Sequence, residues 1–276
     1  MNNVYVLISS SNGSGFMKKN LFKESNVKII DNLNNLNCEN QIFLIIKYFD
    51  ELDSKFMKKL KKLKEKNIIF YEFLDKTWKF KIPEVKKIYN NYKKIFDYII
   101  FSSKSFMNIF QNSNFLKFNY HEYDISLCNN TNQRSDNLIY LGSRKKSSFS
   151  YEMFSNYNIN YIQKKYNGNP CIHIDYVKKN HTYYIQHTST KLATSLGQKS
   201  IFICNKIPIY LEILGDDYKF FFKDDLSNMN EIISKAKNTI LDNDLYKSYL
   251  DEMDKYRILL SPHTILNNYM KIFNSV

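Results

Sequence analysis

The sequence predicts an α/β protein built as two halves, each a parallel sheet covered by helices, facing one another across a cleft. Three observations carry that expectation. Short runs apolar on both faces alternate with helix-length segments, the pattern of strands buried in a parallel sheet. A polar stretch, Cys128–Asn137 (CNNTNQRSDN), breaks the series and reads as a linker. The alternation then restarts, and open sheets of this kind bind ligands outside the carboxyl ends of their strands.

In the first half a strand is expected at Val4–Ser9, followed by the glycine-containing loop Ser10–Gly15 and a basic helical segment. Strands follow at Val27–Ile30 and Ile42–Lys47, a lysine-rich helix around Lys55–Lys66, and a strand at Ile68–Phe73. Beyond a Trp- and Pro-containing connection, Glu84–Phe96 reads as helix, Asp97–Phe101 as strand, Ser105–Phe110 as helix and Phe118–Tyr123 as strand. The second half offers strands at Leu138–Leu141, Ile159–Ile162 and Cys171–Tyr176. Then come a helix carrying Lys191, a strand at Ile201–Cys204, a helix from about Tyr210 to which Glu212 belongs, and a small strand at Phe220–Phe222. Helices close the chain at Asn230–Leu241 and Leu245–Leu259. Ser261 followed by Pro262 reads as a cap with proline at the first helical position, opening a last helix to Phe273. The division is 1–130, 138–260 and a terminal helix 261–276 that crosses back to the first half.

Composition narrows the classes. At 43% hydrophobic and 16% aromatic residues, the chain can bury substantial cores. Its net charge of +13 invites a polyanion partner. Yet only Arg134, Arg144 and Arg257 among the 40 basic residues are arginines, which leaves 37 lysines, and readers of bases and phosphates favour arginine forks. Nucleic acid therefore ranks second as a partner, behind codon bias as the source of the charge. Cys38, Cys128, Cys171 and Cys204 show no ligand spacing; Cys171 and Cys204, in strand-like apolar runs, read as small buried hydrophobes, and a reducing compartment is expected. No basic leader precedes the first apolar run, and no run approaches the roughly 18 residues that span a bilayer. A cytoplasmic protein is expected, with peripheral contact to anionic membranes through its basic helices.

One stretch is the most informative: His187–Glu212, HTSTKLATSLGQKSIFICNKIPIYLE. Thr188, Ser189 and Thr190 stand at a helix start, where each can cap an orphan N–H. Lys191 lies in the first turn, a place where the macrodipole is already positive. Hydroxyls, free N–H groups and a lysine at one helix start make a cradle for phosphate.

These residues resemble a known family. Thr190-Lys191-Leu192, Ser200–Asn205 and Ile207–Glu212, with Leu214-Gly215-Asp216-Asp217-Tyr218 and the closing Tyr256, Pro262 and Ile265, are similar to the donor segment of GT-B glycosyltransferases. The resemblance covers the second half; the first agrees as a generic α/β domain. It implies two Rossmann-like domains facing a cleft and transfer of a sugar from a nucleotide-sugar to a glycan, lipid-linked or protein acceptor. It also implies no metal and no cofactor besides the donor. Three positions depart from the family pattern: Lys199 where a glycine is usual, Thr194 where retaining members carry a ribose-binding glutamate, and His187-Thr188 for a lysine-proline pair.

The chemistry fixes what such a site must hold. Charge builds on the diphosphate as the glycosidic bond breaks, so cations and N–H dipoles belong there. Gly142, Arg144 and Lys145, just past the first strand of the second half, are expected against the donor. So are His173, Thr188, Ser189, Thr190, Lys191, Tyr210 and Glu212. The loop residues Gly13, Ser14 and Gly15 would let backbone approach a sugar or phosphate. An inverting transferase needs a base for the acceptor hydroxyl, and His121, Asp124 and Asp75 are the candidates. Plainer roles remain open beside these. Arg144 reads equally as a solvated loop charge, Lys191 as a snorkelling surface residue, His173 as a buried strand histidine and Glu212 as a helix-terminal charge. A basic nucleic-acid binder or DNA-modifying transferase, and a catalytically dead scaffold, stand as the other two classes.

Overall fold

The structure is a computed structural model, and it describes residues 3–8, 14–23, 25–34, 36, 38–46, 54–73, 81–110, 115–124, 128, 133–142, 152–162, 168–179 and 183–276. Two units emerge: Met1–Tyr120 with Gln186–Thr188 and Ile265–Val276, and His121–Ile185 with Ser189–Thr264.

The first unit holds a six-stranded parallel sheet in the order β2-β1-β3-β4-β5-β6. Its strands are β1 (Val4–Ile8), β2 (Lys28–Ile30), β3 (Ile42–Ile46), β4 (Ile68–Phe73), β5 (Tyr98–Phe101) and β6 (Leu116–Phe118). Connecting them are α1 (Ser14–Lys23), α2 (Ser54–Lys64), α3 (Ile82–Tyr92) and α4 (Lys104–Met107), the last continued by a short 3₁₀ turn to Phe110. Strand β4 explains why both sheet faces are covered. Its side chains alternate, so Ile69, Tyr71 and Phe73 join the core formed with Leu60 of α2 and Val85 and Tyr89 of α3. Phe70 and Glu72 point the other way. Phe70 meets Phe273 edge-on at 5.2 Å, and Glu72 pairs with Lys18 of α1 at 3.4 Å. Lys18 also donates to the Tyr269 hydroxyl at 2.7 Å. Each large side chain buried this way contributes about 1.5–3 kcal/mol.

The second unit carries a five-stranded parallel sheet in the order β11-β10-β9-β7-β8. The strands are β7 (Leu138–Leu141), β8 (Ile159–Ile162), β9 (Ile172–Asp175), β10 (Ile201–Asn205) and β11 (Phe221–Phe222). Helices α5 (Tyr183–Gln186), α6 (Thr190–Gly197), α7 (Pro208–Leu214), α8 (Met229–Leu241), α9 (Asn243–Leu259) and α10 (Pro262–Asn274) complete the chain. Asp242 caps α9 by accepting from the N–H groups of Asp244 and Leu245, and Ser261 accepts from Thr264 N–H at 3.2 Å ahead of Pro262.

In both sheets the first strand lies between the second and the third. The chain winds outward in opposite directions from that point, so a crevice opens at the carboxyl ends of the first and third strands. In the second unit those ends are Leu141 of β7 and Asp175 of β9.

Several boundaries differ from expectation: the helix expected at Glu84–Phe96, for example, runs Ile82–Tyr92. The strand expected at Phe118–Tyr123 lies instead at Leu116–Phe118; Asn119 N–H still bonds Phe101 O of the neighbouring β5, but by Tyr123 the backbone has left the sheet and its N–H bonds Leu260 O. The loop expected to run to Gly15 is already helical at Ser14. Among the described residues no helix is long and apolar enough to cross a membrane.

Candidate functional site

The crevice of the second sheet is organised by Asp175, the last residue of β9. Asp175 is a buried charge at the carboxyl end of the central strand, with Cys171, Ile172 and Ile174 before it and Tyr176 and Val177 after it all buried. Lys191, in the first turn of α6, donates to Asp175 Oδ1 at 2.6 Å and to the Tyr140 hydroxyl at 2.9 Å. Its ammonium also lies 4.1 Å from the centre of the Tyr140 ring. Tyr210 of α7, itself fully buried, donates to Asp175 Oδ2 at 2.6 Å. Asp175 is 0% exposed, whereas the Lys191 side chain keeps 21% of its surface. Burial by itself would lower the Lys191 pKa, but the Asp175 charge and the Tyr140 hydroxyl outweigh it and hold the ammonium well above the ordinary lysine value. Of its three N–H donors, two are spent within the cluster, and the third remains for a ligand.

Gly142 makes this arrangement possible. It follows β7 two residues after Tyr140, on the same side of the strand, and a Cβ there would come within 2.7 Å of Tyr140 Cε1. Only the absence of a side chain lets the Tyr140 ring fold back beneath Lys191.

The start of α6 differs from the expected cap. Ser189 occupies the N-cap position with φ −77° and ψ 6°, not the extended geometry that lets a side chain reach N2 or N3, and it makes no capping bond. Its hydroxyl instead accepts from His121 N–H at 3.3 Å. Thr188 is buried one residue further out, and Thr190 is the first helical residue. His121 is 1% exposed. Its Nδ1 lies 3.2 Å from the Glu122 carbonyl oxygen and 3.7 Å from Glu122 Oε2, a setting for Nδ1–H. Its Nε2 is buried with no hydrogen-bond partner among the described residues. An unsatisfied ring nitrogen of this kind costs about 1–3 kcal/mol, which a ligand hydroxyl would recover.

The end of α6 is equally informative. Ser200 N–H bonds Ser195 O at 2.9 Å and Lys199 N–H bonds Leu196 O at 3.1 Å, a paired motif that requires a left-handed residue at 199. Lys199 adopts φ 57°. The position is built for glycine, and lysine occupies it.

Similarity to solved proteins follows this geometry. No protein-family model and no curated protein matches the sequence. Among solved structures, HepE from Anabaena in complex with UDP and glucose aligns over 100% of both chains with a TM-score of 0.59 at 9% identity. The same protein with UDP-glucose gives 0.58. A glycosyltransferase from Rickettsia africae aligns over 99% of this chain and 98% of its own, with a TM-score of 0.55 at 12% identity.

The chain has the GT-B fold.

Within that GT-B fold the expected residues separate clearly. Lys191, Tyr210 and Gly142 come together around Asp175. Tyr210 acts inside the cluster: its hydroxyl is committed to the carboxylate, so it positions Asp175. Glu212 is not at a helix start, because α7 opens at Pro208 behind Ile207 and leaves Glu212 in its middle, half-buried. His173 is 1% exposed in mid-strand, and burial lowers its pKa to about 3, so it is a neutral ring of the sheet. Thr194, where the family pattern places a glutamate, returns its hydroxyl to Thr190 O at 2.8 Å within its own helix. Asp124 is buried, and its carbonyl accepts from Cys128 Sγ. Asp75, Arg144, Lys145 and Gly13 lie outside the described residues, as does the side chain of Ser14, while Ser14 and Gly15 open α1. Asp175 and Tyr140 were missed by sequence reasoning. The available signal was a lone carboxylate ending an apolar strand next to the crevice.

Proposed function

We propose that this chain transfers a sugar from a nucleotide-sugar donor to a glycan, lipid-linked or protein acceptor. The observation that carries the reading is the Lys191 ammonium, held at the carboxyl ends of β7 and β9 by Asp175 and Tyr140 with one N–H to spare. HepE, which shares the fold, was crystallised with UDP and with UDP-glucose, and that favours a nucleoside diphosphate as the leaving group here.

In this reading the segment 138–260 binds the donor and 1–130 presents the acceptor. The third N–H of Lys191, the backbone N–H groups at the start of α6, and Arg144 and Lys145 meet the diphosphate as charge develops on it. These groups supply the positive charge that a divalent cation otherwise would, so the reaction is metal-independent. The bond from the anomeric carbon to the diphosphate oxygen breaks, and one to the acceptor oxygen forms. On an inverting route His121 Nε2 takes the acceptor proton, and Glu122 holds the tautomer that leaves this nitrogen basic.

The test is release of nucleoside diphosphate from a panel of nucleotide-sugars, followed for the parent and for His121→Gln. The reading expects release from at least one donor, with a loss of about 10²–10⁴-fold in the variant while donor binding survives. A second reading, a GT-B scaffold without activity, is favoured by one observation: the Thr194 hydroxyl is spent within its own helix and offers nothing to a ribose. No release from any donor, together with no thermal stabilisation by any nucleotide, would establish that second reading. A bound ligand at a hundredfold its Kd contributes about 2.7 kcal/mol and could not escape notice.

A further inference from the structure

Helices α2 and α3 both pack onto one face of the first sheet. Leu60 of α2 and Val85, Tyr89 and Tyr92 of α3 are buried in a common core, with Phe56, Met57 and Leu63 packed against it. Their apolar sides are therefore spent. What they turn outward is lysine: Lys55, Lys58, Lys61 and Lys62 on α2 and Lys86 and Lys87 on α3 are all exposed. No carboxylate among the described residues forms an ion pair with any of them, whereas nearby Lys64 pairs with Asp97 at 3.1 Å and Lys66 pairs with Glu39. The exposed acids on these two helices and the turn after α2 are Glu65 and Glu84, and Glu84 is engaged at the start of α3 with Lys81 N–H. Beside α2 lies an open groove of about 790 Å³ of mixed lining, in which Lys59, Lys62 and Lys66 outnumber the one acid, Glu65.

We infer that this lysine layer docks the protein on an anionic lipid surface. The spacing of Lys55, Lys58 and Lys62 at three and four residues keeps their charges on one side of α2, opposite buried Leu60. Lysine is a point charge suited to a fluid sheet of phosphates. Nucleic-acid readout would call for arginine forks and exposed aromatics, and the described residues of this face offer neither. Because the apolar sides of both helices are committed to the core, attachment is electrostatic and reversible, and it weakens as salt screens the charges. The surface is distinct from the Lys191 cluster and does not depend on the reading of that cluster.

The experiment is flotation of the full chain with vesicles of phosphatidylcholine containing one-third phosphatidylglycerol, compared with phosphatidylcholine alone. The variant combines Lys55→Gln, Lys58→Gln, Lys61→Gln and Lys62→Gln, and an unchanged melting temperature verifies its fold. Binding is expected to anionic vesicles only, to fall about fivefold per lysine removed, and to vanish at high salt. A parent protein that stays unbound on anionic vesicles overturns the inference. So does equal binding to neutral vesicles, or a variant that binds as the parent does. Tighter binding to duplex DNA or single-stranded RNA, lost in the same variant, assigns the face to nucleic acid instead.

Discussion

Lys191 and Asp175 form a mostly buried cation on a fully buried anion, joined at 2.6 Å across the crevice of the second sheet. The pair changes what the lysine can do. A free ammonium would bring a full positive charge to a diphosphate; this one arrives largely neutralised, and it offers a fixed donor in place of a mobile charge. Under the proposed function, the net positive charge facing the ligand would then come from the α6 N-terminus and from Arg144.

The pair should behave as one unit in a stability cycle. Asp175→Asn leaves a desolvated ammonium and should cost about 3–5 kcal/mol. Lys191→Met leaves the fully buried carboxylate without its cation and should cost at least as much. The double variant should recover a large part of the combined loss in urea unfolding; simple additivity of the two single losses would show that the contact carries no coupling.

Gly142→Ala should dislodge the Tyr140 ring, since the new methyl would lie 2.7 Å from Cε1. Overpacking of this kind costs about 1–3 kcal/mol. Nucleotide affinity should fall alongside, because Lys191 loses a hydrogen-bond acceptor and the ring beneath it. Calorimetric titration checks both, and unchanged affinity in a destabilised variant would separate Tyr140 from the site.

Lys199→Gly should raise stability by about 1–2 kcal/mol, the cost of holding a side chain in the left-handed region. Lys199→Ala should gain nothing, as alanine suffers the same clash. Midpoints of urea denaturation distinguish the two. Equal effects of both substitutions would mean that removal of the lysine charge, and not relief of the φ of 57°, sets the change.

The strands were legible because each is a short apolar run closed by polar residues, and a strand buried on both faces can look like little else. The site was legible only in part. Lys191 stood out as a cation in a helix's first turn, yet its partner could not be read, because which strand ends beside α6 depends on sheet order. Asp175 becomes the neighbour of Tyr140 only once β9 lies next to β7. The expected strand at Phe118–Tyr123 failed for a related reason: its aromatic alternation suits a strand, but beyond Asn119 the backbone leaves β5, and Tyr123 N–H bonds Leu260 O, a partner remote in sequence. Ser189 was read as a cap from its type, and tertiary contact with His121 took its hydroxyl instead.

His173 makes stability fall in acid. Burial lowers its folded pKa from 6.5 to about 3, so the unfolded chain binds a proton that the native chain refuses. The stability it contributes is complete above pH 6.5 and is lost as pH falls towards 3, by about 1.4 kcal/mol per pH unit. His173→Phe should flatten that slope between neutral pH and pH about 5, and a variant with the parent's slope would assign the acid sensitivity elsewhere.

The claim on which the rest turns is that Lys191, anchored by Asp175, contacts the diphosphate of a nucleotide donor. The direct measurement is a melting-temperature screen against UDP, GDP, ADP, CMP and dTDP, repeated on Lys191→Met and Arg144→Ala. One nucleoside diphosphate should stabilise the parent, and each variant should lose most of that stabilisation. A nucleotide that stabilises all three proteins equally would contradict the claim.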